Sequence, residues 1–337
     1  MSHLSLKRSG GIRAARGGLV ALLATAIIAV VGVSTSEAAL VTLLDDTFAD
    51  GSRAETSLPT ESAVYFGIDS NASVPQGSVS VSAGALSHTL DESSTKMWTH
   101  FATDGSEVEL AVGDKLIAMI SFIPRDVLPS NTSRSFRVGL FNDPSTAQVL
   151  TDVNDDGGGA GDPWSDSTGY GVNIRLTSGA AQDPFDISKR VSLNSSLIGS
   201  GGAFVFSGGG GTAINQTLDT EYTLTYEIHR TSATMSNITV SLADGSGVLS
   251  THTALDDGDL GQFAGNDTLV GNITGSESPY TTFEHLFFRY STNTQVADRL
   301  DFTRIKVQHF QIPEPSTLLL GLASAVGAAF IARRRVR

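Results

Sequence analysis

The body of this sequence predicts an all-β fold, an antiparallel sandwich of two sheets, on three observations. Between Val41 and Ile312 no long apolar run repeats with a helical period. Short runs with alternating or mixed patterning are separated instead by Gly, Asn, Asp and Ser. Serine and threonine fill 64 of the 274 positions from Ala39 to Ile312, a composition that suits strands and turns and depresses helix formation. One domain of about 11 to 14 strands buries the apolar sides of those strands by packing two sheets face to face.

The ends of the 337-residue chain read as processing segments. Residues 1–18 carry Lys7, Arg8, Arg13 and Arg16 and no acid; the apolar run Leu19 to Val33 and the small-residue stretch Ser34 to Ala39 follow. That order is a secretory signal peptide, residues 1–38, and cleavage after Ala38 fits best. At the other end Pro313, Glu314 and Pro315 precede the apolar stretch Leu318 to Ala332, and Arg333, Arg334, Arg335 and Arg337 close the chain. Fifteen residues rise about 22 Å as a helix. Flanking arginines stretch such a short span and favour the cytoplasmic side. A body at 39–311 remains between them.

Eight of the 22 basic residues lie in these ends, against only Glu37 and Glu314 of the 35 acids, so Ala39–Ile312 carries 14 bases and 33 acids, net −19. So acidic a body excludes nucleic acid as an electrostatic partner. With no cysteine in the chain, disulfide scaffolds, thiolate metal sites and cysteine nucleophiles are excluded as well.

In chain order, weak strand runs occupy Val64–Ile68, Ser78–Val81, Ala85–Leu90 and Met97–Phe101. Clear ones occupy Lys115–Ile123, Ser135–Phe141, Gly169–Leu176, Tyr222–His229, Asn237–Leu242, Glu284–Tyr290 and Phe302–Phe310. Alternation places Tyr222, Leu224, Tyr226 and Ile228 on one face, and Ile305 and Val307 inside. Phe136, Val138 and Leu140 point one way, and Arg137 and Gly139 point the other, toward water or a ligand. Thr151–Ser167 and Gly199–Gly211 read as Gly-rich loops, the first acidic, the second with an apolar AFVF run that is either a short strand or a cover.

Candidate chemistry concentrates in the first loop. Asp152, Asn154 and Asp156, followed by Gly157, fit the first half of a calcium loop, with oxygen ligands at alternate positions and a tight turn. The second half fails an EF-hand, because position twelve is Pro163 rather than Glu. Calcium is thus the one cofactor indicated. Asp256-Asp257-Gly258-Asp259 is a weaker acidic turn. Trp164 and Tyr170 are the aromatic residues best placed to stack on a sugar, whereas Trp98 reads as core. Catalytic signatures are missing. Glu107 and Glu109 lack a third carboxylate, no Gly-x-Ser-x-Gly elbow occurs in suitable context, and the histidines, including His88, His100, His229, His252, His285 and His309, show no zinc spacing. The chain therefore reads as non-enzymatic.

Two resemblances extend this reading. Pro313-Glu314-Pro315, the short span and Arg333, Arg334 and Arg335 closely resemble the PEP-CTERM sorting signal of Gram-negative, polysaccharide-producing bacteria. That resemblance implies recognition by a membrane-embedded exosortase, after signal peptidase acts at the other end. It also implies transient anchoring in the inner membrane and export to the cell surface or extracellular matrix. The opening Asp45 to Arg53, the strand order and the closing segment Phe287 to Val307 resemble the laminin-G-like, concanavalin-like jelly roll found in that architecture. The expected function is an exported surface or matrix protein, with a carbohydrate-binding module for exopolysaccharide as the alternative and a glycoside hydrolase or lyase behind both.

Overall fold

The computed structural model describes residues 38–54, 57–67, 79–89, 96–126, 136–144, 147–153, 164, 166–180, 183–191, 197, 204–258, 278–290 and 298–312. The expected signal segment and the sorting tail with Pro313, Glu314, Pro315 and the arginines lie outside the described residues. Within them no helix is long and apolar enough to cross a membrane.

Among these residues are seventeen strands, numbered in chain order, of which fifteen form two main antiparallel sheets. The first runs β14 (Gly247–Asp256), β13 (Met235–Asp244), β12 (Tyr222–Ser232), β7 (Lys115–Arg125), β17 (Arg299–Gln311), β4 (Ala85–Thr89), β3 (Val79–Ser82). β1 (Ala39–Asp46) also pairs with β17, beyond the stretch that pairs with β4. The second sheet runs β11 (Phe204–Gly210), β10 (Phe185–Arg190), β9 (Thr168–Ile174), β8 (Phe136–Asn142), β16 (His285–Tyr290), β5 (Lys96–His100), β2 (Val64–Gly67). A short ladder joins β6 (Val108–Glu109) to β15 (Thr282–Phe283).

The first sheet follows its sequence pattern. β7 alternates half-buried and buried residues along its whole length, which puts Leu116, Ala118, Ile120 and Phe122 in the core. Tyr222, Leu224, Tyr226 and Ile228 join them from β12, and Val138, Leu140, Val172, Ile187, Leu286 and Phe288 face them from the second sheet. Each large side chain fully buried there contributes about 1.5–3 kcal/mol of transfer free energy. β17 departs from strict alternation. Phe302, Ile305 and Val307 are all fully buried because the register with β7 slips between Phe302 and Arg304. The extra residue lets an even and an odd position share one face.

The second sheet differs from expectation. Every residue of β5, β8 and β10 is buried, so the side of β8 carrying Arg137 and Gly139 does not meet water. A second apolar cluster covers the outer face: Trp98, Phe141, Trp164, Leu197, Phe204 and Phe287. Residues 147–153 strap this layer down. Trp98 Nε1 donates to Val149 O (3.0 Å), Gln148 Nε2 to Ala102 O (2.9 Å), and Val153 N to Phe66 O (2.9 Å).

A buried polar knot joins the two sheets at one edge. Lys189 on β10 lies 2.8 Å from the carboxylate of Asp256 on β14, and both are fully buried. The Tyr170 hydroxyl donates to Asp256 (2.6 Å) and accepts from Tyr280 N (2.8 Å), and Lys189 Nζ also donates to Ser278 O. Asp256, which the sequence placed in a weaker acidic turn, is therefore the carboxylate partner of Lys189 inside the sandwich. Its other oxygen accepts from Gly258 N and caps the strand's exit.

Candidate metal centre

β8 ends at Asn142, and Asp143-Pro144 follows; proline has no N–H to continue the ladder. Asp143 turns inward there and its N–H donates to Glu284 Oε1 (2.8 Å). Glu284 sits between β15 and β16, pinned by backbone bonds from both sides. Its N–H donates to Phe141 O (2.9 Å), and its carbonyl accepts from Phe101 N (2.9 Å) and Ala102 N (3.2 Å). His285 begins β16 and points the same way.

These three side chains are buried, and one ligand atom from each lies within 4.8 Å of the others. His285 Nδ1 is 3.6 Å from Asp143 Oδ2 and 4.0 Å from Glu284 Oε1. Asp143 Oδ1 accepts from the Ser167 hydroxyl, and Glu284 Oε2 accepts from Gln148 Nε2 (2.7 Å). Asp143 Oδ2 and both nitrogens of His285 have no hydrogen-bond partner. Orphaned polar atoms in a dry interior are costly. A divalent cation held by Asp143, Glu284 and one nitrogen of His285 would satisfy Asp143 Oδ2 and that nitrogen, and leave the other His285 nitrogen unpaired.

The electrostatics agree with a cation site. Burial pushes the Asp143 carboxyl well above the usual carboxylate range; Glu284 and Asp166 push the same way, while the Ser167 hydroxyl and Arg190 oppose. Burial also raises Glu284. Burial, then His100 and Arg190, hold His285 below its ordinary value, which leaves the neutral imidazole, the form that binds metal. Arg190 is fully buried and is fixed by donating from one nitrogen to Trp164 O (2.8 Å) and Ser167 O (2.6 Å).

Glu284 belongs to a second group, with exposed Asp104 and half-buried Glu107. The two groups differ in ligand chemistry. Asp143, Glu284 and His285 offer mixed oxygen and nitrogen, which suits manganese or zinc. Asp104, Glu107 and Glu284 offer oxygen alone, which suits calcium or magnesium.

The residues singled out from sequence stand elsewhere. Asp152 gives both carboxylate oxygens to Arg53 (2.9 and 2.5 Å) and one of them also to Phe66 N, so it clamps the strap to β2 rather than offering a free calcium ligand. Asn154 and Asp156 lie outside the described residues. Trp164 is 1% exposed, edge-on to Trp98 (4.9 Å) and Phe287 (5.5 Å), and presents no face to a sugar. Tyr170 is fully buried in the knot with Asp256. Trp98 is buried as expected, though in the outer cluster rather than between the sheets. The sequence reading missed Asp143, Glu284 and His285 as a group because 141 positions separate the first from the second. The adjacent Glu-His pair at the mouth of a strand was the one local signal.

No protein-family model matches the chain, and no curated protein sequence matches it. Solved structures resemble it in fold. Peanut lectin is 10% identical, with a TM-score of 0.38 over 80% of this chain and 97% of that one. The VIP36 exoplasmic/lumenal domain, in metal-free form, is 10% identical with a TM-score of 0.40, covering 82% and 94%. An endo-1,3-beta-glucanase from Streptomyces sioyaensis is 11% identical with a TM-score of 0.40, covering 80% and 96%. Lectin and glucanase stand side by side at these values, so the likenesses argue for no activity; the two-sheet sandwich rests on the strand order itself.

Proposed function

We propose that this chain is an exported, non-enzymatic carbohydrate-binding protein of the cell surface or extracellular matrix, whose loops at one end of the sandwich are set by a divalent cation. The observation that carries the reading is the cluster of Asp143, Glu284 and His285, with buried atoms that a cation would satisfy. A cation there would fix the turn carrying Asp104 and Glu107, and through Gln148 the strap over the outer face. A hydrolytic role is disfavoured. Asp143 and Glu284 are buried, so no glycosidic bond reaches between them. Export rests on the signal-peptide pattern. Sorting by an exosortase-type enzyme, with exopolysaccharide as the matrix partner, rests on Pro313-Glu314-Pro315 and the terminal arginines.

The test is a glycan-array measurement on the purified protein with calcium, with manganese and with chelator, beside Glu284→Gln. Selective binding that chelator and Glu284→Gln both weaken at least tenfold is expected. A folded protein that binds no glycan with either metal would leave a purely structural matrix role as the better account.

A further inference from the structure

The knot between β10 and β14 brings an amine and a carboxyl group together out of reach of solvent. Lys189 stands on the second sheet and Asp256 at the end of the edge strand of the first, and both are fully buried. The pairs Lys115–Glu227 and Arg304–Asp45, by contrast, keep their side chains partly in water. Withdrawing an ammonium and a carboxylate from water costs several kcal/mol per ion. An amide between the same two groups carries no charge and removes that cost.

The surroundings hold both groups in place for that bond. Lys189 Nζ is 2.8 Å from Asp256 Oδ2, donates to Ser278 O (2.9 Å) and lies 5.1 Å from the centre of the Tyr280 ring. The same Oδ2 accepts from the Tyr170 hydroxyl (2.6 Å), and Oδ1 accepts from Gly258 N (3.1 Å). Tyr280 N in turn donates to the Tyr170 oxygen (2.8 Å), which fixes the direction of the phenol. Burial first, then the Asp256 charge, hold the Tyr170 hydroxyl well above the usual phenol range, so it keeps a proton to give. A nucleophile, a proton donor and a backbone N–H for a developing oxyanion thus surround one carboxyl carbon. Groups oriented in this way react with an effective molarity of about 10⁵–10⁸ M, which favours a condensation that dilute amines and acids do not undergo.

We propose that Lys189 and Asp256 condense to an intramolecular amide that joins β10 of one sheet covalently to β14 of the other. The ammonium first passes a proton to Oδ2, and the freed Nζ attacks Cγ. Negative charge gathers on Oδ1, facing Gly258 N–H. Tyr170 protonates the Oδ2 hydroxyl, which leaves as water, and recovers a proton from the nitrogen. One C–N bond forms, one C–O bond breaks, two protons leave the nitrogen with the departing oxygen, and nothing is oxidised or reduced. In a chain without cysteine, the product is a cross-link between the sheets that no reductant opens. It depends on neither glycan nor cation.

The test is a peptide map of the full-length protein, incubated folded at neutral pH, then denatured and digested with trypsin, beside Lys189→Met, Asp256→Leu and Tyr170→Phe. The expected result for wild type is a branched peptide containing both Lys189 and Asp256, lighter than its two linear arms together by one water. Fragmentation spectra locate the branch. The branched peptide should be absent from Lys189→Met and Asp256→Leu, and its yield in freshly purified Tyr170→Phe should fall at least about tenfold. Linear peptides with free Lys189 and Asp256 from the incubated wild type overturn the proposal, because an ion pair leaves the mass unchanged. A branched peptide that persists in Lys189→Met places the link elsewhere and overturns it too. Full cross-linking in Tyr170→Phe overturns the part given to the phenol. The wild-type map decides even if every variant fails to fold.

Discussion

Trp164 and His88 show how far one side chain's surroundings depart from its neighbours in sequence. Trp164 stands in a Gly- and Asp-rich stretch that reads as exposed loop, yet it packs edge-on against Trp98 and Phe287. Trp164→Ala should therefore cost about 3–5 kcal/mol in urea unfolding, the loss typical of a buried aromatic, with any effect on glycan binding following from that instability. His88 reads as one polar position in a half-buried strand. Its ring is fully buried between Phe66 (5.3 Å) and Tyr290 (4.6 Å), neither nitrogen has a partner, and burial holds its pKa at about 3. The folded state thus keeps it neutral, while the unfolded chain protonates it below about 6.5. Above 6.5 the group therefore leaves stability independent of pH, and as pH falls toward 3 stability drops, by about 2 kcal/mol at pH 5. His88→Leu should match or exceed wild type at pH 7 and unfold less readily between pH 6.5 and 4 in pH-dependent denaturation curves.

At the level of strands, the two sheets differ in how openly they declare themselves. β7, β12 and β13 have one side packed on the core and the other half-exposed, so their alternation is written in residue type. β10 (FDISKR) is buried on both sides and carries Asp, Lys and Arg, so its burial does not follow residue type and it has no place among the strand runs read from sequence. Its placement depends on Asp256, 67 positions beyond Lys189, which no local window contains. β14 was missed for the opposite reason: its exposed sheet-edge residues, including Val248 at 67%, blur the alternation. The Lys189–Asp256 pair gives a sharp test. Removing one partner, as in Lys189→Met or Asp256→Asn, leaves a buried charge or a broken knot and should cost about 3–5 kcal/mol. The double variant Lys189→Met with Asp256→Leu should recover a large part of that loss in a double-mutant cycle of unfolding free energies. Equal and additive losses would show that the two groups act independently.

Across the whole molecule, charge is sorted by place rather than spread. Asp104, Glu107, Asp143 and Glu284 gather at one end of the second sheet, and Lys96, Arg289 and Arg137 line its outer face. Neither group follows from composition, because each is assembled from strands far apart in sequence; the chain advertises only that it is acidic. Calcium or manganese at millimolar concentration should raise the melting temperature at pH 7 by several degrees, as expected of a ligand that binds only the folded state. Glu284→Gln should abolish most of that rise. Because Glu284 serves both groups, a rise that survives in Glu284→Gln would place the ion elsewhere.

β1 and β17 are antiparallel partners from Ala39 with Gln311 to Asp46 with Ile305. The first and last residues of the sandwich are therefore within about 5.5 Å of each other, the separation of facing positions in such a ladder. The order in which the strands follow one another along the polypeptide is then separable from their order in space. A peptide of a few residues linking 312 to 39 would close the body into a ring. Reopening it at Gly245-Ser246, in the hairpin turn where a Cβ on Gly245 would meet nothing within 4 Å, would leave every ladder intact. Such a permuted chain should fold to the same sandwich.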